Sequence, residues 1–246
     1  MKKILVINGS PKKELSTTMA VTNAFVKGLL SSGKYESETL TVSSMNIKPC
    51  LGCLGCWGIS EGECIIKDDD IPMLKAKILA ADIIVLSFPL FYFGMPGSMK
   101  CAVDRLLSIL NTYEGQDVPE NKSFHGFRYD MTGKKLVLIS GCAWNDFRVF
   151  SPLLQQFDCI VGPGKYTALF CPQIKAIVDQ GMRPRLIRYL KSYEDAGLEF
   201  AENLALSPET SERLKKTPFS KDVYTQILKM NWQQEREKGN KKGGNQ

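Results

Sequence analysis

The chain has 246 residues, 43% of them hydrophobic, and a net charge of +6. That is enough for one sizeable core and fits a single α/β domain with additions. Part of the charge sits in the tail from Lys238 to Gln246, which has no apolar residue to bury and is expected to fray. No basic stripe with interleaved aromatics occurs elsewhere, so the charge is not read as a nucleic-acid footprint. The apolar run at the N-terminus ends at Ile7, too short for a secretory segment, and no later run approaches a bilayer span. Eight cysteines without an export signal argue for a reducing compartment, the cytoplasm, where clustered thiols more often mean metal or redox chemistry than disulfides.

In chain order, Lys3 to Ile7 is a β-branched and aliphatic run that stops at Gly9. A hydroxyl-rich loop follows, then a segment with helical spacing at Met19, Val21, Ala24, Phe25, Gly28 and Leu29. Strand, tight loop and helix N-terminus together make an anion site, because unpaired N–H groups and the positive end of the helix dipole face the loop. Ser10, Ser16, Thr17 and Thr18 offer hydroxyl donors, and Lys12 a charge. The plainer alternative is a capped helix, for which Ser16 or Thr17 would suffice.

Further strands are predicted at Ser37–Val42, Asp82–Ser87, Lys135–Gly141 and Tyr166–Phe170; the third is almost continuously apolar, as a buried parallel strand should be. Helices are predicted over Asp69–Ala81, Gly97–Leu110 and Asp146–Phe157. They are also predicted over Lys175–Ala205 with a break near Arg183-Pro184, Pro208–Lys216 and Lys221–Glu237. There is no internal repeat. Strands alternating with helices imply a doubly wound parallel sheet with right-handed crossovers. In proteins with the five-strand, flavodoxin-like order 2-1-3-4-5, FMN lies at the switch point between the first and third strands. The expected organisation is an α/β domain over residues 1–172, a helical extension over 173–237 packed on it, and a disordered tail over 238–246.

The loop after the third strand, Phe88 to Ser98, is rich in aromatics, glycine and proline. An isoalloxazine ring needs a flat apolar wall with backbone N–H and C=O groups at its polar edge, and such a loop supplies both. The alternative is that these aromatics only cap the core beneath the sheet edge.

Three sets of residues resemble the flavodoxin-like NAD(P)H-dependent FMN reductases and, within them, the iron–sulfur flavoproteins. They are Gly9-Ser10-Pro11-Lys12 with Ser16-Thr17, Pro89-Leu90-Phe91-Tyr92-Phe93-Gly94, and Lys100 with Asp104-Arg105. A cysteine run, Cys50, Cys53, Cys56 and Cys64, joins them. The resemblance implies that Ser10, Lys12, Ser16, Thr17 and Thr18 hold the FMN phosphate. It implies that Pro89, Leu90, Phe91, Tyr92, Phe93 and Gly94 wrap the ring and ribityl chain. The third loop, from Gly141 and Cys142 to Asn145, would complete the site. Lys12 stands where members often carry Arg, and supplies charge without a bidentate fork.

The four cysteines spell C-x2-C-x2-C-x7-C, and the opening three can converge on one face, as in bacterial ferredoxins. The resemblance implies that all four bind a [4Fe–4S] cluster; unliganded thiols, structural zinc or a disulfide remain alternatives. Cys101, Cys159 and Cys171 read as small buried hydrophobes, whereas Cys142 could face the crevice.

The implied activity is hydride transfer from NAD(P)H to FMN and onward to a small acceptor such as a flavin, quinone or nitro compound. The alternative is an iron–sulfur flavoprotein that passes single electrons and works with ferredoxin-like partners. A third reading is a flavin-binding sensor without turnover. A receiver domain is disfavoured, because Asn8-Gly9-Ser10 replaces the carboxylates it needs at the end of the first strand. No catalytic side chain is assigned, since the protein's task is to bind, orient and tune the ring.

Asn111 to Gly133 is expected to be a lid, with Phe124, Phe127 and Tyr129 over the flavin. The sole histidine, His125, reads as incidental, and Asp104-Arg105 as a structural pair. Asp68-Asp69-Asp70 favours a helix dipole, with a metal role as the lesser alternative. Leu186, Ile187 and Leu190 are expected to bury against a second subunit, in a homodimer or homotetramer without membrane or nucleic-acid partners.

Overall fold

The computed structural model describes residues 1–112, 115, 117–119, 122–175 and 183–243. Five strands, β1 (Lys2–Asn8), β2 (Tyr35–Thr41), β3 (Ile83–Pro89), β4 (Lys135–Gly141) and β5 (Thr167–Cys171), form one sheet in the order β2-β1-β3-β4-β5. Every pairing is parallel. This is the flavodoxin-like arrangement that the alternating pattern implied. The central strand β3 is buried from Ile83 to Phe88 because helices cover both faces. The edge strand β2 instead exposes Glu36 and Glu38, and begins two residues before the predicted Ser37. Pairing of Tyr35 with Lys2 sets that start, and an edge strand has no apolar run to advertise it.

On one face lie α1 (Thr17–Ser31) and α5 (Arg183–Asn203); on the other lie α2 (Ile71–Ala80), α3 (Gly97–Arg105) and α4 (Ser151–Val161). The predicted third helix is shorter than expected, since Leu106–Ile109 tightens to a 3-10 turn. Two helices follow α5: α6 (Pro208–Leu214), capped by the Ser207 side chain, and α7 (Lys221–Gly243). α7 runs past the predicted end at Glu237 to Gly243, and residues 244–246 lie outside the described residues. None of the described helices is long and apolar enough to cross a membrane.

The α1–α5 contact fixes the helical extension to the sheet. Tyr193, Ala196, Phe200 and Ala201 of α5 join the same core as Phe25 and Leu29 of α1. Leu186 and Leu190 pack against this core of their own chain, while Ile187 on the opposite side of the helix is 64% exposed. The two helices touch at glycines: a Cβ on Gly28 would stand 1.9 Å from the Glu194 carbonyl oxygen, and one on Gly197 2.0 Å from that of Phe25. Backbone cannot yield as a flexible side chain can. Gly197→Ala should therefore cost about 1–3 kcal/mol through overpacking, read as a lower urea midpoint.

Candidate functional site

The C-terminal ends of β1, β3 and β4 open on one crevice. The Gly9 N–H donates to the Ser87 carbonyl at 2.8 Å, locking the loop after β1 to β3. Asn8 Oδ1 accepts from the Ser10 N–H at 2.9 Å, and Ser10 Oγ accepts from the Lys12 N–H at 3.2 Å. Ser43, which the motif reading missed, donates its hydroxyl to the Ser10 carbonyl at 3.2 Å. Met99 crowds Gly9 so closely that a Cβ would lie 2.9 Å from the methionine Cβ. Lys12 is exposed, and Lys13 turns the chain with φ +51°.

α1 starts with Ser16 as N-cap, yet the Ser16 side chain makes no capping hydrogen bond. The plainer alternative, a helix closed by its own cap, is therefore not what forms. Thr18 is 1% exposed, and its Oγ1 has no hydrogen-bond partner among the described residues. A buried hydroxyl left unpaired costs about 1–3 kcal/mol, so Thr18 keeps an unmet demand for a hydrogen-bond partner at the helix start. Ser10 and Ser16 are buried beside it, and Thr17 is half-buried.

Across the crevice, Leu90 N–H donates to the Gly141 carbonyl at 2.8 Å, and Phe91 and Gly94 exchange backbone bonds of 3.0 and 2.9 Å. Between them, Tyr92 and Phe93 both adopt left-handed backbone, φ +47° and +65°. A tight turn with two such residues normally calls for Asn and Gly, and here it holds two aromatics. The rings face outward: Tyr92 is 99% exposed and Phe91 and Phe93 about half. They do not cap the core. Strained backbone that presents exposed aromatics is characteristic of ligand clamps.

The third loop is braced from the extension. Gln173, fully buried with φ +61°, bonds the Asn145 side chain and exchanges hydrogen bonds of 2.9 and 3.0 Å with the Phe219 backbone. Tyr224 donates to the Ala143 carbonyl at 2.7 Å. Trp144 is thereby held 63% exposed at the rim, while burial pushes the Cys142 thiol up to about 11 and keeps it neutral. No local motif announces Gln173, Phe219 or Tyr224; their role follows from tertiary contact alone.

The four cysteines of the run border one small recess, whose wall also includes Asp104 and Arg105. Burial, and then the nearby Cys64 sulfur, raise the Cys56 thiol above its ordinary value. None of the eight cysteines forms a disulfide, and no group of three His, Cys, Asp or Glu among the described residues stands in metal-binding geometry. The loop is anchored at several points. Trp57 Nε1 donates to the Leu110 carbonyl at 3.1 Å, and its ring lies 5.0 Å from that of His125. Lys75, almost fully buried, binds the Gly62 carbonyl at 2.5 Å and Glu63 at 2.6 Å, and lies over the Tyr129 ring.

Three expectations need correction. Cys159 is exposed and Cys101 only half-buried, so of the three scattered cysteines read as buried only Cys171 is so. Asp104 and Arg105 do not pair with each other: successive helical residues point about 100° apart. Asp104 binds Lys100 at 2.6 Å, and Arg105 binds Asp69 at 2.6 Å with both side chains wholly buried. Nor does the described part of Asn111–Gly133 cover the crevice. α3 leads away from it, so the segment starts at the far end of the sheet. There Phe127 pairs with Leu110, Tyr129 donates to the Gly62 carbonyl, and the Phe124 N–H reaches the Cys159 carbonyl. Beneath it lies an apolar cavity of about 930 Å³ bounded by Leu74, Leu107, Phe127 and Phe157. His125 is accordingly part of the support of the cysteine loop. Asp69 and Asp70 are engaged with backbone N–H groups of Lys48, Ile71 and Asn46.

Sheet order and crevice define a flavodoxin-like α/β protein. The chain belongs to the family described as having the flavodoxin-like fold, matching it over residues 2–151. It is 34% identical over 103 residues to an iron–sulfur flavoprotein of Methanocaldococcus jannaschii, a match covering 42% of this chain and 51% of that one. It is 25% identical over 123 residues to an FMN-dependent NADH:quinone oxidoreductase of Pseudomonas fluorescens, covering 48% and 62%. The chain thus spans about half the length of the first of these relatives. An FMN-dependent NADH-azoreductase of Bacillus anthracis, solved with FMN, shares the fold at TM-score 0.56 and 18% identity over 84% of this chain and 100% of that one.

Burial acts to raise the Asp69 carboxyl, but the Arg105 fork and two backbone N–H bonds outweigh it and hold the group below its ordinary value. A lowered carboxylate contributes stability that is complete above its unfolded value and is lost as pH falls through the native one. Arg105→Ala should cost about 3–5 kcal/mol at neutral pH, measured by urea unfolding. The gap between wild type and Asp69→Asn should narrow below about pH 4.

Proposed function

We propose that the chain is an FMN-dependent NAD(P)H oxidoreductase acting on a small acceptor such as a flavin, quinone or nitro compound. The observation that carries this is the unpartnered Thr18 hydroxyl at an uncapped helix start, across the switch point from a strained turn of exposed aromatics. FMN bound there would accept hydride from NAD(P)H and deliver electrons to the acceptor. Ser10, Ser16, Thr17, Thr18 and the first N–H groups of α1 would grip its phosphate, with Lys12 adding charge at the rim. Pro89 to Gly94 and the segment from Gly141 through Cys142 to Trp144 would hold the ring and exclude water from one side. Neutral Cys142 contributes shape rather than a nucleophile. The similarity to FMN-dependent oxidoreductases supports this reading.

A second reading is favoured by the recess shared by Cys50, Cys53, Cys56 and Cys64, and by the iron–sulfur flavoprotein relatives. There the four thiolates would hold a [4Fe–4S] cluster and the protein would exchange single electrons with a ferredoxin-like carrier. Thiol donors suit such a cluster, and the loop's anchors hold them near one another. In either case we place the protein in the cytoplasm, as a homodimer or homotetramer.

The visible spectrum of anaerobically purified protein separates the readings: flavin bands alone with NAD(P)H-dependent quinone reduction favour the first, and added broad absorbance near 400 nm the second. A colourless chain that takes up no FMN would overturn both. Thr18→Val keeps the shape and removes the orphaned hydroxyl, so FMN binding should weaken about tenfold or more in a fluorescence titration while stability stays level or rises. Tyr92→Gly should relieve about 1–2 kcal/mol of left-handed strain, raising the unfolding midpoint, yet loosen FMN.

A further inference from the structure

We propose that Arg105 is the positioning residue of the cysteine site, closing the loop around its four thiols and placing a positive N–H donor beside their sulfurs. This rests on the reading of that loop as an iron–sulfur site. The arrangement of its bonds carries the inference. One terminal nitrogen donates to the Lys48 carbonyl at 2.8 Å and to Asp69 at 2.6 Å; the other donates to the Ile66 carbonyl at 3.0 Å and to Asp69 at 3.3 Å. Lys48 precedes Cys50 and Ile66 follows Cys64, so a single planar group ties both ends of the cysteine loop to α3. Loop-closure entropy that four separate thiols would otherwise oppose is thereby already spent in the fold.

A guanidinium has five N–H donors in a fixed fork. Four are used by these bonds. The fifth, on Nε, is buried and has no partner among the described residues. Arg105 lines the recess together with the four cysteines, whereas Asp69 does not, so the positive member of the buried pair is the one next to sulfur. Cys64 already lies within hydrogen-bonding and electrostatic reach of the guanidinium. A buried N–H left unpaired is costly, and thiolate or sulfide sulfur is the acceptor this wall would provide once loaded. Charge and hydrogen bonds at the sulfurs are what set the potential and retention of such a cluster. Lysine could carry the charge, but its three donors cannot make these four bonds and still leave one for sulfur.

The test uses the full chain reconstituted anaerobically with ferrous iron and sulfide. In wild type labelled with [15N]arginine, pulsed EPR of the reduced protein should show a 15N coupling; this needs no variant to fold. Arg105→Lys and Arg105→Gln are then compared at matched FMN content, which reports that the crevice is intact. Iron retention against a chelator should fall about 10–100-fold in both. The midpoint potential should move to more negative values in Arg105→Gln and less so in Arg105→Lys. Loaded wild type without arginine coupling, or Arg105→Gln with wild-type retention and potential, would overturn the role of Arg105 alone. A wild type that binds FMN but takes up no iron would instead overturn the cluster reading beneath it.

Discussion

The parallel pairing of β1 with β3 is the constraint on which the rest depends. Because β2 lies on one side of β1 and β3 on the other, the connections leaving β1 and β3 depart to opposite faces of the sheet. A gap opens between them at the strand ends, and main-chain groups there have no neighbouring strand to satisfy them. The Gly9–Ser87 bond is the last one that holds the two strands together before they part. Beyond it, Ser10, α1 and the aromatic turn stand on separate stalks, rigid below and open above. Everything ligand-like about the molecule follows from that divergence.

Much of this was legible in the amino-acid order because buried parallel strands are nearly pure hydrophobic runs. Ile83 to Leu86 could hardly be anything else, and hydroxyls after a strand ending in glycine mark a helix start. What escaped were features with no local signature. β2 is an edge strand whose outward glutamates hide its limits. Arg105 looked like a partner for its neighbour, although the helix turns them apart, and its true partner lies 36 residues away. Length and aromatic content do not say at which end of the sheet a loop begins, and the described part of the segment after α3 lies at the end away from the crevice. Phe127 and Tyr129 are partly buried and pack against the core at the opposite end.

Strain and incomplete satisfaction occur at both the crevice and the cysteine loop, while Ser108 and Ser140 also carry unpaired buried hydroxyls. Tyr92, Phe93 and Lys13 hold left-handed backbone, and Thr18 and Arg105 leave polar atoms unpaired. The sheet core, by contrast, is apolar and closely covered. A fold of this size tolerates a few such costs only because α5 and the helices opposite it bury both faces. Natural selection for stability alone would remove the costs at Thr18 and Tyr92 with single substitutions.

The brace from Gln173, Phe219 and Tyr224 to the loop after β4 has an evolutionary corollary. One rim of the crevice is supported by a part of the chain that the shared family match, ending at residue 151, does not include. Substitutions far downstream can therefore reshape the mouth while leaving every motif of the flavodoxin-like half untouched. Relatives with the same fingerprint but different C-terminal helices should diverge in what they admit rather than in what they hold.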